Sequence, residues 1–244
     1  MLSPGQNTQK RVVAALIVAG GSGKRMNRSI PKQFIEIGGK SILQYTIERC
    51  QDSQYIDQIL CALPPEHVET YGQKLMRERQ LSKLVTVVAG GDSRHLSVWQ
   101  GLQALESTVD VVMIHDGVRP FINERIIRES ITAAQQHGAA VVGLVPKDTV
   151  KLWSADGVER TLDRRNVLIA QTPQTFKKEI IVRAFEHAFQ TQSFSTDDAA
   201  LVEQMGGKVA VVQGDWRNIK ITSPEDLIAA KAYLENSGEN RSRI

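Results

Sequence analysis

A chain of 244 residues, 41% of them hydrophobic, can bury the core of one large α/β domain; that excludes a disordered chain and one that depends on disulfide staples. Thirty basic residues against 27 acidic ones leave a formal charge of +3, too small to call for a nucleic-acid surface, and no apolar run is long enough to span a bilayer. Cys50 and Cys61 form no CxxC pair and have no histidine nearby at metal-ligand spacing, so they read as reduced structural thiols of a cytoplasmic protein.

Residues 1–10 are polar and read as a disordered tail. Lys10-Arg11 followed by VVAALIVA (12–19) imitates the basic and apolar parts of a secretory signal, but no A-x-A site follows and Lys24-Arg25 come directly after the glycines. A buried parallel strand explains the run better. IDQILCAL (56–63), LVTVVAG (84–90), VDVVMIHD (109–116) and AAVVGLVP (139–146) are further strands, separated by helical patterns near 41–52, 65–80, 94–106 and 123–137. This alternation predicts right-handed βαβ units: a three-layer α/β domain with a mostly parallel, Rossmann-like sheet and helices on both faces.

The rhythm changes at Pro146. KDTVKLWSADGVERTLDRRNVLIAQ alternates apolar and polar residues about an Asp156-Gly157 turn, which predicts a β-hairpin arm over about 146–170. A projecting arm needs covering, either by folding back on its own domain or by a second copy of the chain; the second copy is the economical cover and predicts a homodimer. FKKEIIVRAFEHAF then reads as a helix, TDDAALVEQMGG as a helix capped by Thr196, and KVAVVQG as a strand. NIKITSPEDLIAAKAYL reads as a strand feeding a helix with Ser223 at the N-cap and Pro224 at N1. One domain over 11–236 with a C-terminal tail at 237–244 accounts for the chain.

Three segments carry chemistry. LIVAGGSGKRMNRSIPKQF (16–34) fails the Walker pattern, because Val18 stands at its first glycine position and Arg25 follows Lys24. It also fails G-x-G-x-x-G, whose third glycine would be Met26. Gly20, Gly21 and Gly23 after the first strand still suit a turn whose N–H groups face an anion, with Arg25 and Lys32 adding charge. In IHDGVRPF, Asp116 ends a central strand, where it is placed either to take Mg²⁺ or to cap a turn, and Arg119 is placed to clamp a phosphate. In AGGDSRHLSV, Asp92 and Ser97 suit hydrogen bonds to a base or ribose, and Asp92 equally suits a helix cap. His95 reads as a polar surface residue more than a catalytic one, and the other four histidines are no more informative.

Taken in order, AGGSGKRM, PKQF, AGGDSRHLSV, HDGVRPF, KDTVK, LDRRNVLIAQTPQTF, TDDAALVE and NIKITSPEDL resemble the 2-C-methyl-D-erythritol 4-phosphate cytidylyltransferases of the non-mevalonate isoprenoid pathway, from about residue 12 to 234. These are nucleotidyltransferases of the glycosyltransferase-A-like fold. The ribitol-5-phosphate cytidylyltransferases share the glycine loop, PKQF, HD-x-x-RP and QTPQ and are the alternative; LDRRNVLIAQTPQ and TDDAALVE favour the isoprenoid enzymes. A nucleotide-binding regulatory protein without turnover is a third reading.

The resemblance implies that Ala19, Gly20, Gly21, Gly23, Gly91, Asp92, Ser97, Asp116 and Gly117 hold CTP, with Asp116 also holding Mg²⁺. It implies catalytic roles for Arg25, Lys32, Arg164 and Lys220, and acceptor binding by Arg119, Thr149, Arg164, Thr196 and Lys220, with Arg164 supplied from a partner's arm. Val118 departs from the small residue common there, and Arg217 stands where some members are acidic.

Overall fold

From Val13 to Val18 every side chain of the first apolar run is buried, because the strand it forms is covered on both faces. Strand β1 (Val12–Val18) sends Val13, Ala15 and Ile17 into one core layer and Ala14, Leu16 and Val18 into the other. Burying a side chain as completely as Leu16 contributes about 1.5–3 kcal/mol. The structure, a computed structural model, describes residues 11–21 and 30–236. The expectations for the two tails, Gly23 and Arg25 lie outside the described residues.

After β1 come a ribbon of β2 (Glu36–Ile37) and β3 (Lys40–Ser41), α1 (Ile42–Asp52) and β4 (Gln58–Leu63). A helical segment follows, α2 (Pro65–His67) and α3 (Gln73–Met76) joined by a π-helical turn, then β5 (Leu84–Ala89), α4 (Arg94–Gln103), β6 (Val109–Asp116), α5 (Glu124–His137) and β7 (Ala139–Leu144). A hairpin of β8 (Val150–Ser154) and β9 (Gly157–Leu162) leads to β10 (Ile169–Lys177), α6 (Lys178–Thr191), α7 (Asp198–Gln204), β11 (Ala210–Gln213) and α8 (Pro224–Asn236).

Seven strands form one sheet in the order β11-β7-β10-β6-β1-β4-β5, parallel except for β10. Residues of α1 and α5 fill one face and residues of α4, α6 and α7 the other. A third apolar cluster, with Ile37, Ile42, Val118, Ile221 and Leu227, fastens α8 to the ribbon. The expected three-layer α/β architecture is what forms. Chain order runs outward from β1 through β4 to β5, then jumps to β6 on the other side, so the switch point of the sheet lies between β1 and β6.

Helix starts follow local chemistry. Ser41, Ser93 and Asn123 each accept a backbone N–H from three residues on, at 3.1, 3.3 and 3.0 Å, and thereby begin α1, α4 and α5. At α8, Asp226 Oδ2 accepts the N–H groups of Thr222 and Ser223, both at 2.8 Å, while Ser223 Oγ accepts Asp226 N–H at 3.4 Å. Thr196 is not the cap of α7: Asp197 takes that place, accepting Ala200 N–H at 3.0 Å.

Two elements differ from expectation, and one strand is placed only by the structure. QTPQTF belongs to β10, a central antiparallel strand, although Pro173 removes a ladder donor. The sheet accommodates the proline at a register shift between Ala170 and Gln174. The hairpin is correspondingly shorter than 146–170, since Ile169 and Ala170 already pair with β7. NIKIT is not a strand, because tight turns from Asn218 N–H to Asp215 O and from Ile219 N–H to Arg217 O bend the backbone before Ile221 N–H reaches Val118 O.

Where β6 and β10 approach the switch point, their interior contacts become polar. Asp116 N–H donates to Thr172 Oγ1 at 3.0 Å, that hydroxyl lies 3.0 Å from His115 Nδ1, and His115 Nε2 lies 3.1 Å from Arg119 O. A carbonyl only accepts, so in the neutral ring Nε2 carries the proton and Nδ1 accepts from Thr172. Burial pushes the imidazole down to about 4, against the raising effects of the Arg119 carbonyl and Asp116. The unfolded ring, at 6.5, binds a proton that the folded ring refuses until about pH 4, so stability falls as pH drops across that window. Urea unfolding is expected to show a loss of about 3 kcal/mol from this group over the interval. The His115 ring resonances of the folded protein should stay in their neutral positions to about pH 5, and titration near 6.5 would refute the arrangement.

Candidate active site

The strands that flank the switch point all end at one cleft of about 590 Å³. Ala19, Gly20 and Gly21 reach it from β1, Pro64 to Glu66 from β4, Gly91 to Arg94 from β5 and Asp116 from β6, with Lys32, Ser97 and Lys220 along its walls. Ligands of open α/β sheets bind beyond the carboxyl ends of strands at such a point. The structure thus brings together nine of the residues singled out in the sequence: Ala19, Gly20, Gly21, Lys32, Gly91, Asp92, Ser97, Asp116 and Lys220. Gly117 packs behind the cleft, where a Cβ would lie 2.9 Å from that of Ala19. Arg119 is buried beside Asp116, and Thr149, Arg164 and Thr196 are exposed outside the cleft lining. Arg164 Nη1 donates to Lys147 O.

At Gly20 and Gly90 the fold adds a steric need for glycine. Left-handed backbone occurs at Gly38, Gly39, Gly138, Gly157 and Gly206, but not at Gly20, Gly21, Gly90 or Gly91. A Cβ on Gly20 would lie 2.6 Å from Ser97 Oγ, and one on Gly90 2.7 Å from the same atom. The two loops therefore close upon a single hydroxyl. Gly91 N–H donates to Ser97 Oγ at 3.1 Å, and that hydroxyl lies 2.9 Å from Ser93 O, one helical turn back. Asp92 is exposed at the cleft; the cap of α4 is Ser93, not Asp92. Gln33, in PKQF, is buried and donates to Ala19 O at 2.7 Å and Gly21 O at 3.1 Å, tying the start of the glycine loop to the short 3₁₀ turn that carries Lys32.

Asp116 is the electrostatic centre. Its Oδ2 is 2.9 Å from Lys220 Nζ and 3.4 Å from Arg119 Nε, and its Oδ1 is 3.3 Å from Arg94 Nε. Burial alone would raise its pKa, but Arg94, Lys220 and Arg119 together hold it well below the usual carboxylate range. Arg94 also meets Asp198 with two parallel contacts, 2.9 Å from Nη1 and 2.8 Å from Nη2. Burial lowers the pKa of that guanidinium, yet the charges of Asp198 and Asp116 outweigh it and keep Arg94 protonated. Arg119 Nη1 donates to Asn218 O at 2.8 Å, which fixes the turn that presents Lys220.

Gln33, Arg94, Asp198 and His115 were not singled out from sequence. Gln33 and Arg94 lie inside quoted motifs, so adjacency was the available signal, whereas the Arg94–Asp198 pair spans 104 residues and leaves no local trace.

Among the described residues no three His, Cys, Asp or Glu side chains gather as a metal cluster. The donor chemistry nevertheless fits Mg²⁺, which takes one or two carboxylates and completes its shell with phosphate oxygens and water. Asp116 is an ionised carboxylate in the cleft wall and meets that requirement.

Comparison with known proteins gives one answer. A sequence model of the family described as IspD, 2-C-methyl-D-erythritol 4-phosphate cytidylyltransferase, matches residues 13–236. A protein of that name from Syntrophus aciditrophicus is 44% identical over 93% of this chain and 97% of its own, and one from Caldanaerobacter subterraneus is 41% identical over 91% and 98%. The crystal structure of the 4-diphosphocytidyl-2C-methyl-D-erythritol synthase of Anaerococcus prevotii superposes with a TM-score of 0.81 at 34% identity, covering 92% of this chain and 99% of the other. The chain belongs to the 2-C-methyl-D-erythritol 4-phosphate cytidylyltransferase family.

Proposed function

We propose that this chain transfers the cytidylyl group of CTP to 2-C-methyl-D-erythritol 4-phosphate, giving 4-diphosphocytidyl-2-C-methyl-D-erythritol and pyrophosphate. The observation that carries the reading is the convergence of two glycine loops with Lys32, Asp116 and Lys220 at the switch point of the sheet, in a chain of this family.

The acceptor phosphate is a monoester whose second pKa lies near ~6, so at neutral pH it is already largely a dianion and needs no general base. One of its oxygens attacks the α-phosphorus of CTP as the bond to the β-phosphate bridging oxygen breaks, and pyrophosphate leaves with that electron pair. The chain must hold anions together and stabilise the charge that develops on departure. Ala19, Gly20, Gly21 and Gly23 hold the triphosphate. Gly91, Asp92 and Ser97 hold the base and ribose, and Gly117 keeps the wall behind them close. Arg25 and Lys32 neutralise charge at the α-phosphate, and Lys220 serves both phosphates. Asp116 would hold Mg²⁺, which would supply charge neutralisation at the phosphates. His115, neutral and buried behind Asp116, takes no part in proton transfer.

For the acceptor we assign Arg119, Thr149, Arg164, Thr196 and Lys220. The exposure of Thr149, Arg164 and Thr196 outside the cleft lining supports a site completed by a second copy, with Arg164 arriving from the partner's arm. The β8–β9 hairpin leaves Trp153 73% and Val158 64% exposed, which supports its burial in a homodimer. Buried, unbridged Cys50 and Cys61 support a reducing, cytoplasmic setting. Among the described residues no helix is long and apolar enough to cross a membrane.

Pyrophosphate release with CTP and Mg²⁺ should be rapid with methylerythritol phosphate and slow with ribitol 5-phosphate. The reverse preference would establish the alternative acceptor, and tight CTP binding without release would establish a binding protein. Lys32→Ala and Arg25→Ala should each lower kcat by about 10²–10³, the scale of losing one preorganised charge stabiliser, and unchanged turnover would remove that role. Sedimentation equilibrium should give a dimer for the wild type and a monomer for Trp153→Glu; a wild-type monomer would remove the arm from the assembly.

A further inference from the structure

We infer that Arg94 is a positioning residue that couples the nucleotide side of the cleft to the acceptor side, with buried Asp198 as its anchor. The inference rests on the reading of Thr196 as an acceptor contact. Arg94 is the first residue of α4, directly after the Ser93 cap that ends the loop carrying Gly91 and Asp92. Its guanidinium divides between two carboxylates: Nη1 and Nη2 go to Asp198 at 2.9 and 2.8 Å, and Nε goes to Asp116 Oδ1 at 3.3 Å. Asp198 is only 1% exposed and lies two residues after Thr196.

A second contact joins the same two segments. His95 stacks on Phe194 with ring centroids 4.2 Å apart and planes 17° from parallel. Residues 194 and 198 are thus gripped by the first two residues of α4, one on each side of Thr196. On its other side the segment is held by Gln174 of β10, whose Oε1 accepts Asp198 N–H at 3.0 Å and Ala199 N–H at 2.9 Å, and whose Nε2 donates to Asp197 Oδ2 at 2.9 Å. Gln174 supplies a fixed floor from the sheet, while Arg94 and His95 open the helix that continues from the proposed CTP loop. Ordering that loop therefore orders Thr196 at the same time.

A rigid fork is required for this work. The planar guanidinium satisfies both oxygens of Asp198 and still directs Nε at Asp116, whereas a lysine is a point charge that serves one carboxylate at a time. Arg94→Ala would leave Asp198 buried and unpaired, a change large enough to threaten the fold itself. Arg94→Lys and Asp198→Asn keep volume and polarity and make the better test.

In hydrogen exchange, CTP should protect residues 194–200 of the wild type, and Arg94→Lys should remove most of that protection while leaving segment 171–177 of β10 unchanged. In turnover, Asp198→Asn should raise KM for methylerythritol phosphate roughly tenfold with KM for CTP within about twofold, and the double variant should resemble the worse single variant because both changes break one interaction. Effects that multiply in the double variant, equal changes in both KM values, or wild-type exchange at 194–200 that ignores CTP would each overturn the proposal. Thermal melting of each variant separates lost coupling from lost fold. If the wild type turns over neither sugar phosphate, the functional reading fails, and the exchange experiment still decides the coupling.

Discussion

A carboxylate buried among three cations organises this molecule's cleft. Asp116 is carried into the interior by β6, and it remains ionised there because Arg94, Arg119 and Lys220 converge on it from three separate segments. Isolated, a buried charge costs several kcal/mol; paired and hydrogen-bonded it becomes a fixed point to which the surrounding loops must conform. Each of its partners in turn fixes something else: Arg94 the start of α7, Arg119 the turn at Asn218, Lys220 the approach to α8. The resulting site holds positive charge around one anion, a field suited to further anions such as phosphates.

The neutral counterpart of this arrangement is the close packing around Ser97. A polar atom there fills the space that side chains at Gly20 and Gly90 would need, so two loops from different strands close upon the same hydroxyl. Gln33 adds a third tie to the β1 loop. Preorganisation of this kind lowers the entropy that a ligand must overcome on binding, because the donors and acceptors are already placed. The aromatic contact of His95 with Phe194 extends the same economy to the far wall.

Much of this was legible beforehand for a plain reason. Strands buried on both faces are written as continuous apolar runs, and helices announce themselves through caps such as Ser41, Asn123 and Ser223, because these signals depend only on neighbours in the chain. The loops after β1, β5 and β6 could likewise be paired with the cleft, since the carboxyl ends of adjacent parallel strands must lie together. The same reasoning assigned no element to QTPQTF, whose Pro173 sits in a central strand at the register shift between Ala170 and Gln174. Nor could it show that a side chain at Gly20 would meet Ser97, a contact between segments far apart in the chain.

By itself the sequence determined the layered α/β class, the places of the three site loops and, through its ordered motifs, the family to which the chain belongs. Tertiary structure alone decided which charges meet: that Arg94 divides between Asp116 and Asp198, that His115 is neutral and enclosed, that Arg119 is turned inward to Asn218. Periodicity and capping act over a few residues and leave a record in the local pattern. Polar contacts between residues about a hundred positions apart depend on sheet order and loop geometry, which no short stretch of sequence encodes.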